Sequence, residues 1–383
     1  MKDWRTHIGC WLLTISCWLL VVGCSSSDGT EEPQPTMLTI YVYAPEHPML
    51  IRSAIGTVDA LVAERQVHKL QIWVFESYTG KTVGYLQTKF TDKLNGAEAG
   101  DKYQIPVPDE FAQHKPDVDV YVLANVSESN CGVVFDGTTT REQLRNAKLD
   151  ANHFGLTELR TTVPDDGLPM AGILKDQTIV GDAPVLRIGT TNNIATVRLE
   201  RTVSKVRFVI GTTAPIKPTI TGISFDADKL YNEGYLIPRE PLTGLTLKST
   251  ATPLWAPDRV IVIDSETDDP TKFIYDGQEA QEYENLINSA ATAEAPAKPE
   301  LTIIGPYYLH ESDKQISGKI FYKIGEETTV HEGPFQMDAV GDFLRNHSWI
   351  VYAYYTGGGF LQMNSIYVKE WTTKEMEHEV YNW

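Results

Sequence analysis

The sequence predicts an all-β protein made of two tandem β-sandwich domains that follow an N-terminal export signal. Three observations carry this reading. Short runs rich in β-branched and aromatic residues recur along the chain, separated by clusters of Gly, Pro, Asn and Asp. Helical periodicity is confined to TTREQLRNAKL and KFIYDGQEAQEYENLINSAA, and strands do not alternate with helices as a parallel sheet requires. The length of 383 residues, less roughly fifty for leader and tether, suits two domains.

The leader comes first. Lys2 and Arg5 precede an apolar run from Ile8 to Val22, which is too short and wrongly flanked for a spanning helix. Residues 1–23 therefore read as a signal peptide. It ends in Val21-Val22-Gly23-Cys24, which resembles the lipobox of bacterial lipoproteins and implies cleavage before Cys24 and acylation of its sulfur. Residues 25–35 are rich in Ser, Glu and Pro, a tether that cannot bury a core.

The first strand is expected at residues 37–44, MLTIYVYA. Leu38, Ile40 and Val42 alternate with Thr39, Tyr41 and Tyr43, the pattern of a half-buried strand. A loop broken by Pro45 and Pro48 follows and reaches Arg52 and Ser53. Further strands are expected in HKLQIWVFES, VDVYVLANV, ATVRLERTVSKVRFVI, RVIVI, LTIIGPYYL, KIFYKI, SWIVYAYY and SIYVKEW. The turn-rich stretch from Gly181 to Asn193 marks the domain boundary, giving an N-terminal sandwich over 53–185 and a C-terminal one over 186–383. The Pro/Ala-rich stretch 288–300 reads as a long surface loop of the second domain.

Charge and cysteine usage narrow the function. A formal net charge of −18, spread without long acidic blocks, repels polyanions and excludes nucleic acid as a partner. Cys10 and Cys17 leave with the leader and Cys24 carries lipid, so Cys131 stands alone in the body and no disulfide forms there. Cys131 reads as a small packed side chain rather than a nucleophile.

No local catalytic or cofactor signature is present. The chain has no GxxxxGK[ST], no GxGxxG after a strand, no HExxH and no nucleophile elbow. No cofactor or metal is expected, and the chain does not read as an enzyme. Gly357-Gly358-Gly359 reads as a hairpin turn and Asp165-Asp166 as turn residues. The pairs His310-Glu311 and His331-Glu332 read as solvated strand ends.

Several segments together resemble the fimbrillins, subunits of the type V pili of Bacteroides-related bacteria. They are residues 67–86, 118–126, 167–173 and 197–210, and the run over 307–371, in that order behind the lipobox and Arg52. The resemblance implies two transthyretin-like β-sandwiches and export as an outer-membrane lipoprotein. It also implies that a trypsin-like protease cuts after an arginine that follows the first strand, which frees lipid and strand together. A strand from another subunit then fills the groove, and the chains polymerise into surface fimbriae that support adhesion. Partners would be further copies of the chain with anchor and tip subunits.

Carried onto this chain, the propeptide is 24–52, the removable strand presents Leu38, Ile40 and Val42, and the scissile bond is Arg52–Ser53. Arg65 and Lys69 are the nearby alternatives; Arg65 abuts the next strand and leaves a protease less slack. The donor is expected in the tail 365–383, of which 366–371 reads as the last strand of the second domain. Val380, Tyr381 and Trp383 form the terminal apolar cluster. The competing reading is a lipid-anchored accessory, anchor or tip adhesin that binds protein or glycan through exposed aromatics such as Trp255, Tyr354 and Tyr355. A third class, a glycan hydrolase, would need two carboxylates about 5–10 Å apart in a cleft.

Overall fold

The computed structural model describes residues 34–43, 64, 66–94, 101–149, 163–190, 193–194, 196–212, 214–247, 252–255, 260–263, 300–337, 344–355 and 357–370. From Thr36 onward the chain forms one compact unit, and the described residues are nearly all β, arranged as two tandem β-sandwiches.

The first sandwich uses strands β1 (Met37–Tyr43), β2 (Val67–Glu76), β3 (Thr82–Leu94), β4 (Asp101–Pro106), β5 (Val118–Ala124), β6 (Lys148–Leu149), β7 (Met170–Gln177), β8 (Ile179–Val180), β9 (Val185–Thr190), β10 (Asn193–Ile194), β11 (Thr196–Arg198) and β12 (Glu200–Arg201). One sheet runs β12-β7-β5-β2-β3; the facing sheet runs β10-β9-β1-β11, with β4 also paired to β1 and β8 to β9. Side chains from both sheets, among them Leu38, Ile40, Ile72, Val120 and Leu186, make the first core.

β2 and β5 are buried on both faces, which explains why their sequences read as continuous apolar runs. The chain from Val126 to Leu149 lies over their outer side as a third layer. Trp73 Nε1 donates to the Asp136 carbonyl at 2.8 Å and Gln71 Nε2 to the Phe135 carbonyl at 2.8 Å. The layer includes the expected helix, Arg141–Asn146, started by a capping box in which Thr140 Oγ1 accepts from the Gln143 amide. Cys131, itself part of this layer, is buried, its thiol donating to the Ser127 carbonyl at 2.9 Å, as a packed side chain should.

The second sandwich uses β13 (Val203–Thr212), β14 (Pro218–Phe225), β15 (Gly234–Tyr235), β16 (Thr252–Trp255), β17 (Val260–Ile263), β18 (Glu300–His310), β19 (Ser317–Ile324), β20 (His331–Gln336), β21 (His347–Tyr355) and β22 (Leu361–Glu370). Its sheets run β17-β18-β13-β21-β22 and β16-β14-β19-β20. Phe208, Phe225 and Phe335 pack edge-on or tilted at the centre of its core, with centroids 5.1–6.0 Å apart. The triple glycine lies in the β21–β22 hairpin, where Gly357 and Gly359 take the positive φ that such a turn demands. The second expected helix, in 272–291, lies outside the described residues.

β9 to β12, residues 185–201, belong to the first sandwich, and the chain changes sandwich at Thr202, beyond the turn-rich stretch 181–193. The reason is topological: the strands after that turn return to flank β1. The run ATVRLERTVSKVRFVI is accordingly three strands, broken at Leu199 and Thr202.

The two sandwiches are stitched at their junction. β15 of the second pairs with β6 of the first, and the Leu236 amide donates to the Ala147 carbonyl at 3.0 Å. Arg201 of β12 donates from Nη1 to Asn346 Oδ1, just ahead of β21, at 3.1 Å.

Candidate functional site

The site built around the expected removable strand is a central slot of the first sandwich. β1 pairs antiparallel with β4 along one edge, from Met37↔Pro106 to Val42↔Asp101. Along its other edge it pairs in parallel with β9 over Met37–Thr39 and with β11 over Tyr41–Tyr43. The ladder extends past both ends: the Met37 amide donates to the Pro184 carbonyl at 2.7 Å, and the Leu199 amide to the Tyr43 carbonyl at 2.9 Å. β1 thus fills a groove whose two walls, among the described residues, do not pair with each other.

Leu38, Ile40 and Val42 are 0%, 1% and 5% exposed and enter the first core. Tyr41 and Tyr43 are half-buried on the opposite face, as the alternation requires. Thr39 departs from it: the residue is buried, and its hydroxyl has no hydrogen-bond partner among the described residues. A buried hydroxyl without a partner costs about 1–3 kcal/mol, a weak point in an otherwise well-packed strand.

The other positions fall as follows. Cys24, Arg52, Ser53, Arg65, Val380, Tyr381 and Trp383 lie outside the described residues. Lys69 lies within β2, paired with Lys89, and its ammonium donates to the Val126 carbonyl at 3.1 Å. Its pKa is lowered, chiefly by burial and also by Lys89. The stretch from Ile366 to Glu370 is part of β22, the edge strand next to β21, as expected for the last strand of the second domain. Of the aromatics suggested for ligand binding, Tyr355 is buried in the second core and Tyr354 half-buried, while the side chain of Trp255 lies outside the described ones.

His310-Glu311 corrects the sequence reading. Both are buried rather than solvated, because β18 runs into the junction between the sandwiches. Arg345 forms an ion pair with Glu311, its Nε donating at 2.9 Å, and caps the Tyr235 and Leu236 carbonyls at 2.7 and 2.8 Å. Burial, with Arg345 adding to it, pushes the pKa of His310 down to about 4, so the imidazole is neutral at pH 7. His331-Glu332 does sit at an accessible strand, with His331 stacked on Tyr322. Beside the Glu311–Arg345 pair a cleft of about 590 Å³ is lined by Glu200, Arg239, Glu240, Glu311, Asp313 and Arg345.

Sequence reasoning missed a second buried cluster at the junction. Glu64, fully buried, accepts from Lys205 Nζ at 3.2 and 3.3 Å and from the Tyr308 hydroxyl at 2.8 Å. Lys205 and Tyr308 are opposite one another in the β13–β18 ladder, so both donors arrive on one face. Arg201 Nε donates to the Glu64 carbonyl at 3.1 Å, and its Nη1 to Asn346 Oδ1 at 3.1 Å. The only sequence signal was a lysine inside a strand that is otherwise largely apolar.

No family model matches this sequence, and no curated protein matches it. Among solved structures it is similar to the C-terminally truncated tip fimbrial protein Mfa3 from Porphyromonas gingivalis. That match has 12% identity and a TM-score of 0.49, over 88% of this chain and 99% of that one. It is also similar to a fimbrial assembly protein from Parabacteroides distasonis ATCC 8503, with 12% identity and a TM-score of 0.42, over 88% of this chain and 99% of that one.

Proposed function

We propose that the chain is a structural pilin subunit that polymerises by strand exchange after proteolysis. It is exported as an outer-membrane lipoprotein through Cys24, cut by a trypsin-like protease between Arg52 and Ser53, and assembled into cell-surface fimbriae with further copies and with anchor and tip subunits. The observation that carries the reading is the position of β1. It is a central strand held on both edges, yet it joins the rest of the fold only through the segment 44–63 that contains Arg52.

The physical sequence follows from that position. Before the cut, β1 plugs the groove and keeps the subunit monomeric. After it, only the ladders and three apolar side chains hold the strand, each side chain contributing roughly 1.5–3 kcal/mol. Release bares unpaired backbone groups on β4, β9 and β11 above an apolar trench. A strand of another copy, such as the tail with Val380, Tyr381 and Trp383, restores the ladder by β-augmentation. A donor strand that enters the groove of the next copy makes a heterologous contact, which need not close and so grows a filament.

The test is low-dose trypsin on the purified precursor, followed by gel electrophoresis and N-terminal sequencing. Cleavage at Arg52 should yield a body beginning at Ser53 and a ladder of oligomers, and Arg52→Ala should stay monomeric. Cleaved protein that never assembles, or an Arg52→Ala chain that assembles as well as the parent, would refute it.

A further inference from the structure

On the side remote from the junction, the second sandwich ends in three loops: the β13–β14 link, the β19–β20 turn and the glycine hairpin between β21 and β22. They carry Ile216, Val330 and Phe360, which are 58%, 48% and 77% exposed. We propose that this apolar end docks onto a second copy of the chain, against the remote end of that copy's first sandwich. The contact stands on the exposed side chains alone, whereas its place in a filament rests on the pilin reading above.

The three loops form one built surface. The Gly325 amide donates to the Lys217 carbonyl at 3.3 Å, which joins the first loop to the second. The Tyr322 hydroxyl donates to the Gly359 carbonyl and accepts from the Leu361 amide, both at 3.1 Å, which fastens the hairpin to β19. On the other side of the hairpin, a Cβ on Gly357 would lie 3.4 Å from the Ala214 methyl. An exposed phenylalanine on a backbone tied down in this way has little freedom left to lose on binding.

The occupant follows from where the exposed apolar side chains stand, and from charge. Single ones scattered over a surface are ordinary. Here, of the eight large apolar side chains exposed among the described residues, three stand at this end of the second sandwich. Two more, Tyr78 at 95% and Val185 at 41%, stand at the remote end of the first. That end holds the β2–β3 hairpin and the start of β9, where Val185 is paired with Met37, the first residue of β1. Two different apolar surfaces at the two remote ends are what a head-to-tail contact between copies requires, and such a contact extends without closing. Charge favours the same approach. Chains with a formal net charge of −18 repel one another over their flanks, but the loops of the second sandwich balance Lys217 and Lys323 against Glu326 and Glu327. Docking there would hold one copy at the mouth of the next copy's groove and raise the local concentration of its strands.

The experiment is photo-cross-linking of the purified full-length chain with benzoylphenylalanine in place of Phe360. It is run at about 1 mM chain, where a contact of this small size is populated. Isotopically heavy and light copies are mixed, so that mass spectrometry separates cross-links between copies from those within one. Cross-links between copies should concentrate on residues 76–81 and 181–186. Tyr78→Ser should lower their yield at least about fivefold, whereas Val134→Ser, an exposed position on the flank of the first sandwich, should leave it unchanged. Cross-links that join like ends, spread over the flanks or fail to form between copies would overturn the docking, as would a yield indifferent to Tyr78→Ser. Protein that gives the expected cross-link but never polymerises after cleavage at Arg52 would count against the pilin reading and leave the contact standing.

Discussion

Ile40→Ala measures how firmly β1 holds its groove. Ile40 is 1% exposed, opposite Tyr103 of β4, with Leu38 and Val42 on the same inward face. Truncation removes three carbons, a transfer loss of about 2.4 kcal/mol at about 0.8 kcal/mol each. The walls of the groove belong to different strands and cannot close over the hole, so a cavity cost adds to this and the total should reach about 2–5 kcal/mol. That is a large share of the roughly 5–15 kcal/mol that holds a domain folded. In urea unfolding followed by circular dichroism, with a slope near 1–3 kcal/mol per molar, the midpoint should fall by about 1 M or more at unchanged slope. In protein already cut after Arg52, the same variant should release the strand at least about tenfold faster, since 1.4 kcal/mol is a factor of ten. A midpoint shift below about 0.3 M together with an unchanged release rate would mean that the side chain does not hold the strand, and the plug argument would fall.

Three further outcomes are expected. Thr39→Val removes the partnerless hydroxyl at constant shape; it should stabilise the precursor by about 1 kcal/mol and slow release of the cut strand several-fold, which peptide-release kinetics would show. His310 is neutral in the fold with its pKa near 4, against about 6.5 when unfolded, so the unfolded chain takes up the proton first as pH falls. Stability is therefore full above about pH 6.5 and declines toward pH 4 by up to roughly 3 kcal/mol; His310→Leu should flatten that decline when urea midpoints at pH 7 and 4.5 are compared with the parent. Gly318→Ala would place a Cβ 2.0 Å from the Ser224 carbonyl oxygen across the β14–β19 pair, and thermal melting should show a loss of about 1–3 kcal/mol or more.

Much of the fold was legible because strand and turn chemistry are local. The period-two pattern placed Leu38, Ile40 and Val42 on one face, Gly357 to Gly359 marked a hairpin, and TTREQLRNAKL carried a helical period. The charged residues misled for a physical reason. A histidine and a glutamate at a strand end are usually wet, but here His310 packs against Gly234 of β15 and Glu311 pairs with Arg345, partners far away in the chain. A turn signal records where the chain bends and says nothing of which sheet receives the next strand.

By itself the sequence determined the all-β class, the inward face of the first strand, the packed Cys131 and the turns, each set by side-chain alternation or by backbone preference within a few residues. Only the tertiary structure decided that β1 lies between strands that cannot pair without it, and that the sandwiches change at Thr202. It alone showed Glu64 closed over by Lys205 and Tyr308, which are 141 and 244 residues away in the chain. A buried charge is tolerable only where distant partners meet it, and the meeting is a property of the packed chain that no local pattern encodes.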